Sequence, residues 1–538
     1  MKITGDHHAK GNLRTKSPIA EHTISESLEY LSPGSSAKKN PPSWPPDTFA
    51  LTALLLLRAG AYRHALLQWP PFRNWETTVN RLGRAWRKAW NLGQSPPKAI
   101  CALWRTVSLY KETRLDSIID QRDLCVALMQ LSAVADYASY GIGLPTVSLE
   151  DRDEFHEHAA ILLLLAERGS TLCESVHTTR IRVLPKMHTP QTGLTIRSFS
   201  HNLALCASDE MRPEWHVFAN NPKQQRLNLL LVPWPYTVKR DQFAVTSGRI
   251  EMPRKFGFFE YRPRATGASP SAKLNELLQR AKKRGLTVDG VILPELALTL
   301  SQYKEVSEVV LSQKAFLIAG VAAPTSSPGE VGNEVYFGMP LPGGYKVKLR
   351  QAKHHRWRMD KWQVERYGLQ RILNPRKLWW EHIPVEERCL YVVAMRPRLA
   401  ISVLICEDLA RPDPVGDLLR AVGPNLVVSL LLDGPQLSHR WSSRYAMALA
   451  DDPGCSVLTL TSLGMAQLGR MRGTTKPSRA VGLWKDGQGG IVQSIELPPK
   501  SEAVILEVNV KEVEEYTADG RSDGKAAGIP MLKKMHFL

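Results

Sequence analysis

The chain has 538 residues with 70 Lys and Arg against 52 Asp and Glu, a formal net charge of +18. That length exceeds one ordinary hydrophobic core, and 43% hydrophobic with 23% charged residues excludes a disordered or fibrous chain. The charge is local: residues 58–105 hold nine Lys or Arg and one acid, and residues 346–377 hold eleven and two, leaving the remainder nearly neutral.

Residues 1–47 are polar and end in a proline-rich stretch around Pro41 and Pro46, which reads as a flexible leader and stiff linker. The first residues lack the apolar core of a signal peptide. The longest apolar runs, 49–57 and 159–166, fall short of the ~20 residues a membrane span needs. The seven cysteines are scattered and form no CxxC pair, which suits a reducing compartment; a cytoplasmic protein is expected, with no membrane partner.

Residues 48–225 read as a mostly helical N-terminal domain. Leu124, Leu128, Leu131 and Val134 recur at three- and four-residue spacing within 116–140, before the stop signals Gly141 and Gly143. The segment 148–168 opens on Ser148 and acids, a helix N-terminal signature, and runs apolar to Gly169.

From residue 226 to 512 the texture becomes apolar strands alternating with helices. Strands are predicted at 227–232, 288–293, 315–321, 399–405, 426–432 and 456–460, and helices at 272–285, 301–312, 413–422 and 440–450. This is the pattern of an α/β domain with helices on the sheet faces. Residues 513–538 are left as a C-terminal tail.

Three polar residues stand where strand-like runs end: Glu295 after Val-Ile-Leu-Pro, Lys353 after residues 345–352, and Cys406 after Ile-Ser-Val-Leu-Ile. Strand ends in open α/β sheets are where ligands bind. A thiolate can attack a carbonyl or nitrile carbon, a carboxylate can take its proton, and an ammonium can stabilise the oxyanion. Singly, each has a plainer explanation as a buried core thiol, a helix cap and a solvated cation.

Together, Val291 to Leu296, Asn333 to Tyr336, Tyr345 to Lys353 and Val403 to Leu409, followed by Asn425 to Val428, Arg444 to Ala450 and Val457 to Gly464, resemble the nitrilase, or carbon–nitrogen hydrolase, superfamily. The resemblance covers about residues 226–512, with Glu, Lys and Cys in that family's order. It implies a nitrilase-like α-β-β-α sandwich in the C-terminal half and hydrolysis of a non-peptide, amide-type C–N bond through a Cys thioester. It assigns Cys406 as nucleophile, Glu295 as base, Lys353 as oxyanion cation and the backbone N–H of Glu407 as a second oxyanion donor. Glu365 stands where the family often has a supporting glutamate; it either orients Lys353 or is a surface acid in a basic run. Cys406 requires a lowered pKa, for which Lys353 and the following helix start are the available groups. The family's domains commonly pair, so a homo-oligomer is expected, acting on a small-molecule or anionic amide. A further stretch, Ile196 to Leu205, Arg212 to Trp215 and Leu227 to Pro235, is similar to the entry of nitrilase domains attached to reverse transcriptases in bacterial phage-defence proteins.

The departures are the basic and aromatic residues 354–358, the insertion 366–385 and the loop 433–441. The cations of 346–377 are either a solvated face or an entrance for an anionic substrate. In 58–105, Arg84, Arg87 and Lys88 are candidate nucleic-acid contacts among Trp69, Trp75, Trp86, Trp90 and Trp104, whose rings either stack on bases or form a helix's buried face. The alternative function is therefore a nucleic-acid-binding or antiphage-defence component in which the hydrolase-like domain is an assembly or regulatory module. No metal or nucleotide cofactor is expected: His156-Glu157-His158 lacks the spacing of two ligands on one helix face, and residues 520–525 lack that of a phosphate loop.

Overall fold

In a computed structural model, residues 22–34, 40–66, 73–145, 153–165, 169–207, 210–218, 223–246, 255–264, 269–325, 330–340, 346–469 and 477–538 are described. Two seven-stranded sheets face each other in the C-terminal half. The first runs from strand Lys346–Ala352 at one edge through Val331–Pro340, Phe316–Pro324, Gly290–Thr299, Arg226–Leu231 and Val504–Val513 to Ala527–Phe537. The second runs from Gln493–Glu496 through Ala480–Lys485, Ser456–Thr461, Leu426–Leu431, Leu399–Ile405 and Cys389–Arg396 to Arg212–Val217.

The period-2 alternation of strands divides their apolar side chains between layers. Leu229, Ile292 and Ile318 meet Val403, Val428 and Leu458 between the sheets. Leu230, Val291 and Leu317 point the other way, onto helices Pro270–Lys283 and Leu300–Ser312 through Leu274, Leu277, Val306 and Val310. These central strands are buried along nearly their whole length, which explains why they read as continuous apolar runs rather than alternating ones.

The outer face of the second sheet is covered by helices Val415–Val422 and Trp441–Asp451 and by the N-terminal helices. Leu404, Val427 and Val457 share one continuous cluster with Phe49, Trp86 and Leu128. The N-terminal half is thus packed as part of the same core. Strand Arg212–Val217, which precedes residue 226, pairs in parallel with Cys389–Arg396.

The expected helix over 116–140 is a 3-10 turn, Leu115–Asp120, followed by helix Arg122–Ala138. The helix expected over 148–168 is Glu154–Leu165 among the described residues, and Ser148 lies outside them. Trp75, Trp86 and Trp104 are buried, and Trp90 packs against Trp44 and Phe155, so these rings form core; Trp69 lies outside the described residues.

The C-terminal segment is structural. Strand Ala527–Phe537 pairs with Val504–Val513, and residues 515–522 clasp the helical half. The Arg521 guanidinium contacts Asp519 (2.9 Å) and Asp136 (3.4 Å), the Trp75 indole donates to Asp519 (2.8 Å), and Ser522 N–H donates to Glu76 (2.9 Å). His188 contacts Glu515 at 2.8 Å and Asn425 at 3.2 Å, at the foot of strand Leu426–Leu431.

Candidate active site

Glu295, Lys353 and Cys406 are all buried. Strand Gly290–Thr299 leaves its register with Phe316–Pro324 between Leu293 and Leu298, where four residues of one strand face one of the other. The bulge turns Glu295 out of the ladder, and Leu296 takes a φ of 49°. Gly320 lies opposite: a Cβ there would sit 2.3 Å from the Pro294 carbonyl oxygen and 2.6 Å from Glu295 Cα. Only a residue without a side chain permits that approach.

Cys406 ends strand Leu399–Ile405 and opens the 3-10 turn Cys406–Ala410 with a φ of 49°. A left-handed non-glycine residue at a strand-to-helix elbow is a strained conformation held by its surroundings, and such strain concentrates at functional sites. Asp408 supplies the hold. Its buried carboxylate accepts from the backbone N–H of His354 (3.1 Å) and His355 (2.9 Å), and His355 Nδ1 lies 3.1 Å away. The residues after Lys353 are thereby fixed to the elbow after Cys406. Burial opposes the Asp408 charge, but the neighbouring histidines and donors outweigh it and hold the carboxyl below its usual range. Two residues before Lys353, Gln351 joins the two sheets: it donates to the Val403 carbonyl (2.9 Å) and accepts from Tyr391 N–H (3.0 Å).

Lys353 Nζ lies between two carboxylates, 2.7 Å from Glu295 Oε1 and 2.6 Å from Glu381 Oε2. Asn333 Nδ2 donates to the same pair, at 2.7 Å to Glu295 and 2.9 Å to Glu381. Burial works against the Lys353 charge, yet the two carboxylates outweigh it and hold the ammonium well above its usual range. Burial raises the Glu295 pKa, Lys353 pulls it down and Glu381 adds to the rise; the direction is upward. Glu295 Oε2 is buried with no hydrogen-bond partner among the described residues.

The expected lowering of the Cys406 pKa is not what the site produces. Burial and then the Glu295 carboxylate push the thiol well up, with Lys353 opposing them.

Glu365 does not meet Lys353. It sits half-buried on helix Lys361–Arg366, 4.0 Å from Lys361, while the carboxylates paired with Lys353 are those of Glu295 and Glu381. The partner sequence reasoning missed is Glu381, on strand Leu378–Glu381 of a four-stranded sheet that the 366–385 insertion forms with Phe243–Thr246, Phe256–Tyr261 and Arg358–Met359. Along that strand Trp379 and Glu381 are buried and Leu378 and Trp380 are half-exposed, a period-2 signal that marks Glu381 as an inward residue. The loop 433–441 adds a closed polar cluster: the Tyr367 hydroxyl donates to Asp433 (2.5 Å), as do Arg440 (2.9 Å) and the Trp441 indole (3.0 Å).

Of the cations in 346–377, Arg350 is paired with Glu334 and Glu386, Lys346 with Glu308, and Arg358 lies over the Trp380 ring. In the N-terminal half Arg87 pairs with Asp153 at 2.9 Å, Arg84 lies over the Tyr137 ring, and Lys88 is exposed. Glu407 pairs through its side chain with Arg411.

No protein-family model matches the chain, and no curated protein matches it. Solved structures that it resembles include Nit3 of Saccharomyces cerevisiae, a member of branch 10 of the nitrilase superfamily, at 13% identity and a TM-score of 0.34 over 54% of this chain and 93% of that one. An amidase from Nesterenkonia sp. matches at 12% identity and a TM-score of 0.32 over 53% and 90%. A carbon–nitrogen hydrolase superfamily protein of Xanthomonas campestris matches at 12% and 0.28 over 59% and 89%. Among the described residues no helix is long and apolar enough to cross a membrane.

Proposed function

We propose that this chain is a thiol-dependent hydrolase of an amide-type C–N bond. The observation that carries the reading is the buried Glu295–Lys353–Glu381 arrangement, with one unpartnered Glu295 oxygen, beside a cysteine held in a left-handed elbow. Glu295 takes the Cys406 proton as sulfur attacks the acyl carbon. Lys353 and the Glu407 backbone N–H stabilise the oxyanion. The proton on Glu295 passes to the departing ammonia or amine, leaving a thioester. Glu295 then takes a proton from water, the resulting hydroxide adds to the thioester carbon, and the thiol leaves with that proton.

Glu381 and Asn333 act as positioning residues: they hold Lys353 and Glu295 where the attack needs them. The test is ammonia release from a panel of primary amides and nitriles and from cell extract. Release by the wild-type protein that disappears in a folded Cys406→Ala variant supports the reading. Release that persists in that variant refutes it.

A further inference from the structure

The four-stranded sheet that carries Glu381 has two faces of opposite character. Arg358 pairs with Trp380, and Trp380 with Phe258, so these three side chains stand on one side. Trp379 and Glu381 alternate with them and stand on the other, where Glu381 meets Lys353. On the side turned away from Lys353, the exposed Arg358 lies over the Trp380 ring, 5.8 Å from its centroid, and Arg356 lies over Phe258 at 5.6 Å. Helix Lys361–Arg366 follows strand Arg358–Met359 directly and holds Trp362 63% exposed, with the Lys361 ammonium 5.9 Å from its ring.

The positive charge of this patch is unspent. Residues 356–377 contain seven Lys or Arg and two acids. Of the acids, Asp360 caps the helix by accepting the Gln363 N–H (2.9 Å), and Glu365 reaches Lys361 at 4.0 Å. The acids next to the patch in the sheet or the chain belong to other cations: Glu260 to Arg262, Glu386 to Arg350 and Glu387 to Arg212. Arg358, Arg366, Arg371, Arg376 and Lys377 make no ion pair among the described residues. Cations gathered in this way repel one another, a cost that an anionic partner removes.

We propose that this outer face binds single-stranded nucleic acid. The phosphates meet the unpaired cations and release their counterions. Unstacked bases meet the Trp362 ring and the Arg358 guanidinium backed by Trp380, the two kinds of surface on which single-stranded bases stack. A duplex keeps its bases stacked on one another and uses only the cations, and an acidic peptide brings no base to the rings. The proposal does not rest on the hydrolase reading.

The test is fluorescence anisotropy of the full chain with labelled oligouridylate and labelled oligothymidylate over a range of salt. At least one should bind, with an affinity that falls as salt rises by a log–log slope of about −0.7 per phosphate neutralised. Arg371→Glu combined with Arg376→Glu should weaken binding about tenfold or more, by removing two phosphate partners and adding repulsion. Trp362→Ala should weaken it about tenfold, the scale of one lost base stack, and it reports on binding even if the double variant disturbs folding. Lys88→Glu, on the N-terminal helix Trp75–Asn91, should leave it unchanged. The proposal is overturned if neither oligonucleotide binds, if the affinity ignores salt, or if Lys88→Glu weakens it as much as the patch variants. It is equally overturned if Trp362→Ala has no effect while a duplex or heparin binds as well, because that describes a surface for any polyanion. Tighter binding to phosphatidylglycerol vesicles than to either oligonucleotide would replace the proposed partner with a lipid surface.

Discussion

Asn333 donates through one side-chain nitrogen to both acidic residues of the site, 2.7 Å to Glu295 and 2.9 Å to Glu381. Its own carbonyl also accepts the Lys353 backbone N–H at 2.9 Å. One residue thus spaces two carboxylates around one ammonium. Replacing it by Leu keeps the volume and removes both donors. The account predicts a loss of about a hundredfold in kcat/KM, the scale of a misplaced catalytic group. It also predicts a change that misfolding would not produce: the hydrogen bond lowers the Glu295 pKa, so its loss moves the acid limb of the pH–rate profile to higher pH.

The wild-type acid limb carries its own prediction. Glu295 must be ionised to act as base, and its pKa is raised by burial from an ordinary value of 4.5. Activity should therefore fail as pH drops at values above the usual carboxylate range. A limb at or below that range would remove Glu295 from the role of base.

Asp408 offers a test of the elbow. In Asp408→Asn one acceptor oxygen becomes an NH₂ facing the His354 and His355 backbone donors, so hydrogen bonds to a charged group worth about 1.5–3 kcal/mol are replaced by a clash of donors. Thermal melting should show the loss at neutral pH. Because the folded-state pKa is depressed, the stabilisation is present above the unfolded carboxylate pKa and disappears as pH falls through the folded one. The gap between wild type and variant should narrow on acidification.

Much of the central architecture was legible because its strands are short, apolar and buried on both faces, as at 290–293, 399–405 and 426–431. Cys406 stood out for the same reason, as the first polar group after such a run. Glu381 did not, and Asn333 stood only within a matching stretch with no role assigned, since each acts on a partner distant in sequence: Asn333 reaches Glu381 across 48 residues, and no local pattern encodes that meeting. The C-terminal segment was obscured in the same way. Its polar residues look like a tail until Arg521 reaches Asp136, 385 residues away.

That clasp can be weighed. Arg521→Met leaves Asp136 and Asp519 buried without their cation, which should destabilise the fold by about 3–5 kcal/mol. Burial raises the Asp519 pKa, and Arg521 with neighbouring donors more than offsets it. Without Arg521 that carboxyl protonates more readily, so the deficit in denaturant melts should shrink as pH falls.

The bulge at Glu295 depends on Gly320. Gly320→Ala places a methyl group 2.3 Å from the Pro294 carbonyl oxygen, an overpacking expected to cost about 1–3 kcal/mol. Because the same contact fixes Glu295, activity should fall further than the melting shift alone accounts for.

The central claim is that Cys406 carries the acyl half of a substrate during turnover. The most direct measurement is intact-mass analysis of the protein exposed to cell extract and quenched in acid, with peptide mapping of any adduct. The account predicts a mass increase localised to Cys406 and absent from Cys406→Ala. An unmodified Cys406, or an adduct that persists in the variant, would contradict it.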